Sequence, residues 1–468
     1  MKKHFRLLGV AALATTMLTG CSNDELVETN QGEAIAFRAR TETRATAINK
    51  TNLGNFKVYA KGVHTNGALY PEGNFLIGTY DAATKTASAE TAKKKGDIWK
   101  LDREVYWPSD MSRVFFWAYT TNSTTDNNDN CLSSGTITFN QESGPVLTGF
   151  TLGKDNVTTT EDNQSMWMDG DKQKDLLFAF TNQLKTTSVS SIPLTFKHAL
   201  SQIEIQAKRS SIAIDDHRIV KIKGAWIMNT YSKANLIAGF KWENNTTATE
   251  NTKWTTFADK APFGSYSKTP KTISEDSQSL LDNGSTSGSL MLFPSPNEDS
   301  YKYAKWNHEN NTEGTYLLLL CRIELQHQDL THDGTQPKDI LVDDNNNCHY
   351  HQLFPSVEFT NNEYNENAYG FSCVSLPCDW EMGKKYIYNL DICSTTSGAG
   401  VYPPEFDKNM LNKLVPGAEQ ENVITNRPKD KEVGSPVLDD PITFNVTVDD
   451  WTSTQNPSTD IDIPETKQ

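Results

Sequence analysis

The sequence predicts an all-β protein built of sandwiches. Helical periodicity is scarce along its 468 residues, and short alternating or apolar runs recur between turn-rich segments. Those segments are rich in Thr, Asn, Ser, Asp and Gly, as the turns between many short strands require. With few helices to cover a sheet, sheets must bury one another's apolar faces.

Residues 1–20 are set apart from that pattern. Lys2, Lys3 and Arg6 precede the apolar run "LLGVAALATTMLTG", which is too short to span a bilayer well and reads as a signal peptide. It ends Leu18-Thr19-Gly20-Cys21, which resembles the lipobox of bacterial lipoproteins. That resemblance implies a lipid on Cys21 and an outer-membrane anchor exposed at the cell surface. Residues 21–33 are polar and acidic with no apolar period, a flexible tether. They loosely resemble the surface-export signals of Bacteroidetes lipoproteins. No later run approaches 18 apolar residues.

The next stretch, "GEAIAFRARTETRATA" (32–47), carries two signals. Ile35, Phe37 and Ala39 alternate with Ala36, Arg38 and Arg40, the period of a half-buried strand. Arg38, Arg40 and Arg44 lie close together beside Thr and Ala, a stretch open to an Arg-directed protease. Strand-like runs then follow at 55–60, 113–119, 175–180, 192–196, 202–208, 220–228, 289–294, 316–325, 385–392 and 442–451. In "PLTFKHALSQIEIQAK" the apolar parity is even at Leu194 and Phe196 and odd at Ile203 and Ile205. The register changes across "HALS", through a bulge or through a bend between two segments. His198 at that point reads as a hydrogen-bonded structural residue. In "WEMGKKYIYNL", Gly383 permits a tight turn, and Tyr386, Tyr388 and Leu390 share a face of the next strand.

The cleanest alternation is the last. Ile442, Phe444, Val446 and Val448 take one face, and Thr443, Asn445, Thr447 and Asp449 take the other. Segments 120–133, 155–174, 243–288 and 394–440 read as elaborated surface loops. The expected division is an N-terminal sandwich over 34–240 and a C-terminal one over 241–468.

The formal charge of −15 becomes −18 without Lys2, Lys3 and Arg6, which argues against nucleic acid and anionic lipid surfaces as partners. Of seven Cys, Cys21 is assigned to lipid, leaving Cys131, Cys321, Cys348, Cys373, Cys378 and Cys393. An exported chain permits disulfides, and sequence does not choose among the pairings. Within strand-like runs such as "LLLLCRIEL", a small buried hydrophobe is the plainer role.

Motifs that carry chemistry are missing. No G-x-S-x-G, H-E-x-x-H, P-loop or zinc-type C-x-x-C occurs. His327, His332, Cys348, His349 and His351, preceded by Asp343 and Asp344, are metal-ligand types. His349 and His351 flank Tyr350 at a spacing that serves only on a strand, no motif is met, and the cluster reads as coincidence. "DNNDN" (126–130) and "DDNNN" (343–347) lack the glycine and distal Glu of an EF-hand loop. The expectation is a chain with no catalytic, cofactor or metal residues.

Several runs together resemble the fimbrillin (FimA/Mfa-like) subunits of Bacteroidetes pili. They are "IAFRARTETRA" after the tether, "NFKVYA", "VYWPSDMSRVFFWAYT", "KDLLFAF", "PLTFKHALSQIEIQAK", "SLMLFPSP", "LPCDWEMGKKYIYNLDI" and "ITFNVTVDDW". The resemblance implies two tandem transthyretin-like β-sandwich domains and assembly through β-strand complementation. In members that polymerise, an Arg-directed protease removes the first strand, and the emptied groove accepts a strand from another subunit. Here the removable strand is Ile35, Phe37 and Ala39, with cleavage between Arg44 and Ala45, or after Arg40 as second choice. The run Ile442–Val448 is the donor or a strand that closes the second domain. The partners implied are other fimbrial subunits and, for a tip or accessory adhesin, a surface glycan or protein. From another class, a monomeric glycan-binding lipoprotein of a carbohydrate-uptake system would stack sugars on Trp242, Trp254 and Trp306.

Overall fold

The computed structural model describes residues 34–450 except 42–51, 67–74, 154–172, 186–190, 211–216, 243–247, 282–287, 297–302, 328–339, 344–347 and a few shorter stretches. Cys21, Arg44, Ala45 and Trp451 lie outside the described residues. The described chain is almost entirely strand and connecting loop.

Chain order begins with β1 (Ala36–Thr41), β2 (Phe56–His64), the small hairpin β3 (Thr79–Asp81) and β4 (Thr86–Ser88), then β5 (Glu90–Lys95), β6 (Ile98–Lys100) and β7 (Met111–Thr120). The hairpin β8 (Thr136–Asn140) and β9 (Gly144–Thr151) follows, then β10 (Leu177–Leu184) and β11 (Ile192–His198). Seven of these close into a barrel in the order β1-β11-β10-β7-β2-β5-β6, with β1 bonded to both ends of the series. Phe37, Phe56, Trp99, Phe116 and Phe196 fill its interior. Tyr59, Phe115 and Trp117 point outward from β2 and β7 and are covered by Phe139 of β8. Trp117 meets Phe139 edge-on at 5.4 Å.

The second part contains β12 (Ser201–Lys208), β13 (Arg218–Ile237), β14 (Phe240–Trp242), β15 (Ala248–Glu250), β16 (Lys253–Thr272), β17 (Gln278–Ser279) and β18 (Ser289–Leu292). It continues with β19 (Tyr316–His327), β20 (Ile340–Asp343), β21 (Cys348–Phe354), β22 (Tyr369–Ser375), β23 (Lys384–Asp391), a short helix α1 (Lys408–Leu414), β24 (Val423–Ile424) and β25 (Thr443–Asp450). One sheet runs β17-β12-β23-β25, with β18 also on β12; a nine-stranded sheet runs β20-β21-β19-β13-β9-β8, with β16 on β13 and β22 and β24 beyond β19. Ile203, Ile205, Tyr388 and Leu390 of the first sheet meet Ile222, Leu317, Leu319 and Ile323 of the second in one shared core, which is sandwich packing. Gly383 has φ +70° in the turn before β23, and Tyr386, Tyr388 and Leu390 are buried on one face, as the alternation predicts.

The register change across "HALS" is a bend between two segments: β11 belongs to the barrel and β12 to the second part. His198 is buried there, with Nδ1 2.8 Å from Asp175 Oδ2. Sheet membership changes at this bend, and β13, which runs up to 237, lies wholly inside the nine-stranded sheet. The β8–β9 hairpin joins that same sheet although it precedes β10.

Segment 243–288 is not the surface loop expected from its polar composition. It holds β16, twenty residues long and paired along β13 through three register shifts. Thr256 and Asp259 have positive φ within it, so bulges break the period of two by which a strand is recognised.

The outer face of the nine-stranded sheet buries a charged group. Arg322 Nε bonds Glu324 Oε1 at 2.7 Å, and Lys221 Nζ reaches Oε2 at 2.8 Å. Tyr364 donates its hydroxyl to Glu324, and Arg322 also bonds the carbonyls of Asn365 and Ala368 at 2.6 and 3.1 Å. Burial pushes the Glu324 carboxyl up, but Lys221, Tyr364 and Arg322 together hold it below the usual carboxylate range.

Candidate functional site

The first strand sits in a slot of the barrel. β1 runs parallel to β11, from Phe37 opposite Ile192 to Thr41 opposite Phe196, and antiparallel to β6, with Ala36 opposite Lys100 and Phe37 opposite Trp99. The Ile35 N–H bonds the carbonyl of Val105, in the segment after β6, at 2.8 Å. Phe37 and Ala39 are buried and Arg38 is exposed, but Ala36 on the opposite face is buried as well and Ile35 is half-buried. The Phe37 side chain is 0% exposed and lies edge-on between Phe56 and Phe116 at 5.9 and 6.0 Å. Arg40 pairs with Thr195 within the ladder.

One wall of the slot had no signal in the sequence reading. The β5–β6 hairpin, "ETAKKKGDIWK", is dominated by lysine, yet Trp99 plugs the barrel and donates its indole N–H to the Gly54 carbonyl at 2.8 Å. Ile98, Trp99 and the preceding Gly are the features that could have marked it as a hairpin. Outside ties fix it. Arg103 makes a two-pronged bond to Glu90 at 2.6 and 2.9 Å, which holds the guanidinium above its ordinary range, and Lys93 reaches Asp102 at 2.7 Å.

The slot is a groove between β11 and β6 that β1 of the same chain fills. Taking β1 out would leave the facing N–H and C=O groups of β6 and β11 without their ladder and would open the space held by Phe37 and Ala39. A strand with alternating apolar side chains satisfies both.

At the other end of the chain, β25 pairs only with β23, from Thr443 opposite Asp391 to Asp450 opposite Lys384, and is the edge of its sheet among the described residues. Its start is anchored. Ile442 is buried in the shared core, the Thr443 N–H bonds Ser397 Oγ at 2.7 Å, and Gly398 packs directly on the Asp440 backbone. Anchoring fades along the strand: Phe444 and Val446 are half-buried and Val448 is 53% exposed.

The remaining candidates are structural. Trp254 and Trp306 are 6% and 4% exposed, packed as the plainer reading has it and not presented for sugar stacking as the glycan alternative requires. Trp254 lies in β16, donates to the Ala199 carbonyl at 2.6 Å and stacks edge-on against Phe293 at 4.6 Å. The side chain of Trp242 lies outside the described residues. Cys131, Cys321, Cys348, Cys373, Cys378 and Cys393 are all free and buried. Burial pushes the Cys131 thiol up to about 11. Among the described residues no group of three His, Cys, Asp or Glu is arranged to hold a metal ion, and no helix is long and apolar enough to cross a membrane.

Against known proteins, the family described as fimbrillin-like matches residues 43–401. A fimbrial protein from Bacteroides vulgatus ATCC 8482 is similar in structure at 14% identity and a TM-score of 0.44, over 89% of this chain and 99% of that one. A fimbrial assembly protein from Parabacteroides distasonis ATCC 8503 is similar at 9% identity and a TM-score of 0.29, over 78% of this chain and 93% of that one. No curated protein matches the sequence. The two structures are too distant to lend residue roles to this chain, whereas the family match spans most of its length. The chain belongs to the fimbrillin-like family.

Proposed function

We propose that this protein is a cell-surface fimbrial subunit, or a tip or accessory adhesin, assembled by β-strand complementation. Family membership supports the fimbrial role and association with other subunits. The observation that carries the mechanism is the position of β1: the first strand among the described residues closes a barrel and fills its core with Phe37.

In this reading β1 is a placeholder during export. Lipid on Cys21 holds the chain at the outer membrane, and an Arg-directed protease then cuts between Arg44 and Ala45. The ladder pairing of Arg40 with Thr195 weighs against a cut after Arg40, because a protease needs a segment not already bonded in a sheet. The excised strand leaves its slot to a strand from another subunit. β25 has the alternation for that role, and its loosening from Ile442 to Val448 suits a strand shared between its own sheet and a neighbour. Backbone bonds supply the affinity, and the side chains that enter the Phe37 and Ala39 positions supply the selectivity. The chain is then a structural and adhesive protein and not an enzyme.

The test compares purified chains that begin at Cys21 and at Ala45. The longer chain is expected to stay monomeric and the shorter to form oligomers that resist SDS. Equal behaviour of the two would refute strand exchange at this slot.

A further inference from the structure

The outer face of the barrel around the strand slot is basic, on a chain that holds 59 acidic residues against 44 Lys and Arg. β5, β6, β1 and β11 follow one another around the barrel and contain one acidic residue, Glu90, which is tied to Arg103. Strand alternation turns Lys93 and Lys95 of β5, Lys100 of β6, Arg38 of β1 and Lys197 of β11 outward, and all five are exposed. Lys93 stands directly opposite Lys100, and Lys100 stands opposite Ala36, two residues from Arg38. Like charges placed opposite one another destabilise a sheet. Asp102 relieves Lys93 at 2.7 Å, and Asp97 lies in the turn between β5 and β6. Arg38 adds to the excess.

β1 thus fits the slot by shape and opposes its rim by charge. A strand with acid on its outward positions would fit by both. β25 is such a strand. The parity that turns Phe444, Val446 and Val448 to one face turns Thr447 and Asp449 to the other. Residues 449–468 hold Asp449, Asp450, Asp460, Asp462 and Glu465 against Lys467. The same match is made once within the chain: in its own sheet β25 lays Asp449 opposite Lys385 and Asp450 opposite Lys384.

We propose that the basic rim of the slot receives the acidic end of β25 from a second copy of the chain, residues 449–468, and steers that strand into the slot. The inference rests on the strand-exchange reading and adds how the incoming chain is recognised. Two copies of net charge −15 repel one another, and the rim is a surface where an acidic strand end is attracted instead. Loss of Arg38 with β1 leaves Lys93, Lys95, Lys100 and Lys197 around the opened slot. Attraction of this kind speeds association and selects the partner, and salt screens it.

The test adds a fluorescent synthetic peptide of residues 442–468 to the chain that begins at Ala45 and follows association by anisotropy. The association rate should fall by about tenfold or more when ionic strength rises from about 0.01 M to 0.15 M, as the Debye length shrinks from about 30 to 8 Å. A peptide with its five acids replaced by Asn and Gln should bind about tenfold more slowly at low salt and lose the salt dependence. Lys95→Glu with Lys100→Glu should slow the acidic peptide and favour one carrying Lys at those five positions. Lys253→Glu with Lys429→Glu, the same change in net charge at exposed sites elsewhere, should leave the rate near that of the parent. Binding at a rate indifferent to salt, to the peptide acids and to the rim lysines would overturn this inference and leave strand exchange standing. A peptide that binds at no salt concentration would remove β25 as the donor and this inference with it.

Discussion

Phe37 meets Phe116 edge-on, with ring centroids 6.0 Å apart and planes at 78°. The contact joins a strand near the start of the described chain to β7, which pairs with both β2 and β10 in the middle of the barrel. Phe37→Ala removes a fully buried ring and should destabilise the unprocessed chain by about 3–5 kcal/mol. Denaturant unfolding of the parent and variant measures this. A change within the error of the extrapolation would mean that β1 is not seated in the barrel.

The Arg322–Glu324 pair predicts an acid limit to stability. Glu324 is held below its ordinary pKa of 4.5, so its contribution is fully present above that pH and is lost as pH falls through the lower folded value. Glu324→Gln keeps the shape and should flatten the stability profile below pH 4.5. Glu324→Ala strands a buried Arg322 and should cost about 3–5 kcal/mol near neutral pH. Denaturation midpoints across the acid range test both.

Six buried thiols predict slow chemistry. The raised thiol pKa of Cys131 and the burial of the other five leave little accessible thiolate. An aromatic disulfide reagent should label none of the six readily in the native chain and all six in denaturant without reductant. Fewer than six on unfolding would reveal a disulfide.

Trp254 and Trp306 give a test against sugar stacking. Both are packed in the core, so Trp254→Ala or Trp306→Ala should destabilise the fold by about 3–5 kcal/mol. A folded variant of undiminished stability that lost polysaccharide binding would restore the glycan reading.

Much of this architecture is legible in the residues. The alternation of Ile35, Phe37 and Ala39 marks β1 and that of Ile442 to Val448 marks β25, although Ala36 is buried on the other face of β1 and Val448 is exposed near the end of β25. The parity change at "HALS" marks the passage between the barrel and the second part. β16 was hidden, since bulges at Thr256 and Asp259 scramble its period and polar residues crowd its edge. That error also made Trp254 look like a loop residue. The slot itself is half legible: β1 and the strand run of β11 are readable, but β6 and the pairing that brings β11 to β1 are not. β6 is three residues long, and β11 meets β1 across a separation of more than a hundred residues that no local pattern encodes. The contact between the His327 and His351 rings, diagonal across the β19–β21 pair, is likewise set by strand register and not by spacing in the sequence.

The most direct test of the account is the intact mass and N-terminal sequence of the protein taken from cells, read beside its migration in SDS. The account predicts a chain that begins at Ala45 and runs as SDS-resistant ladders, with Arg44→Ala blocking both. A lipidated Cys21 terminus with β1 retained and no ladders would contradict it.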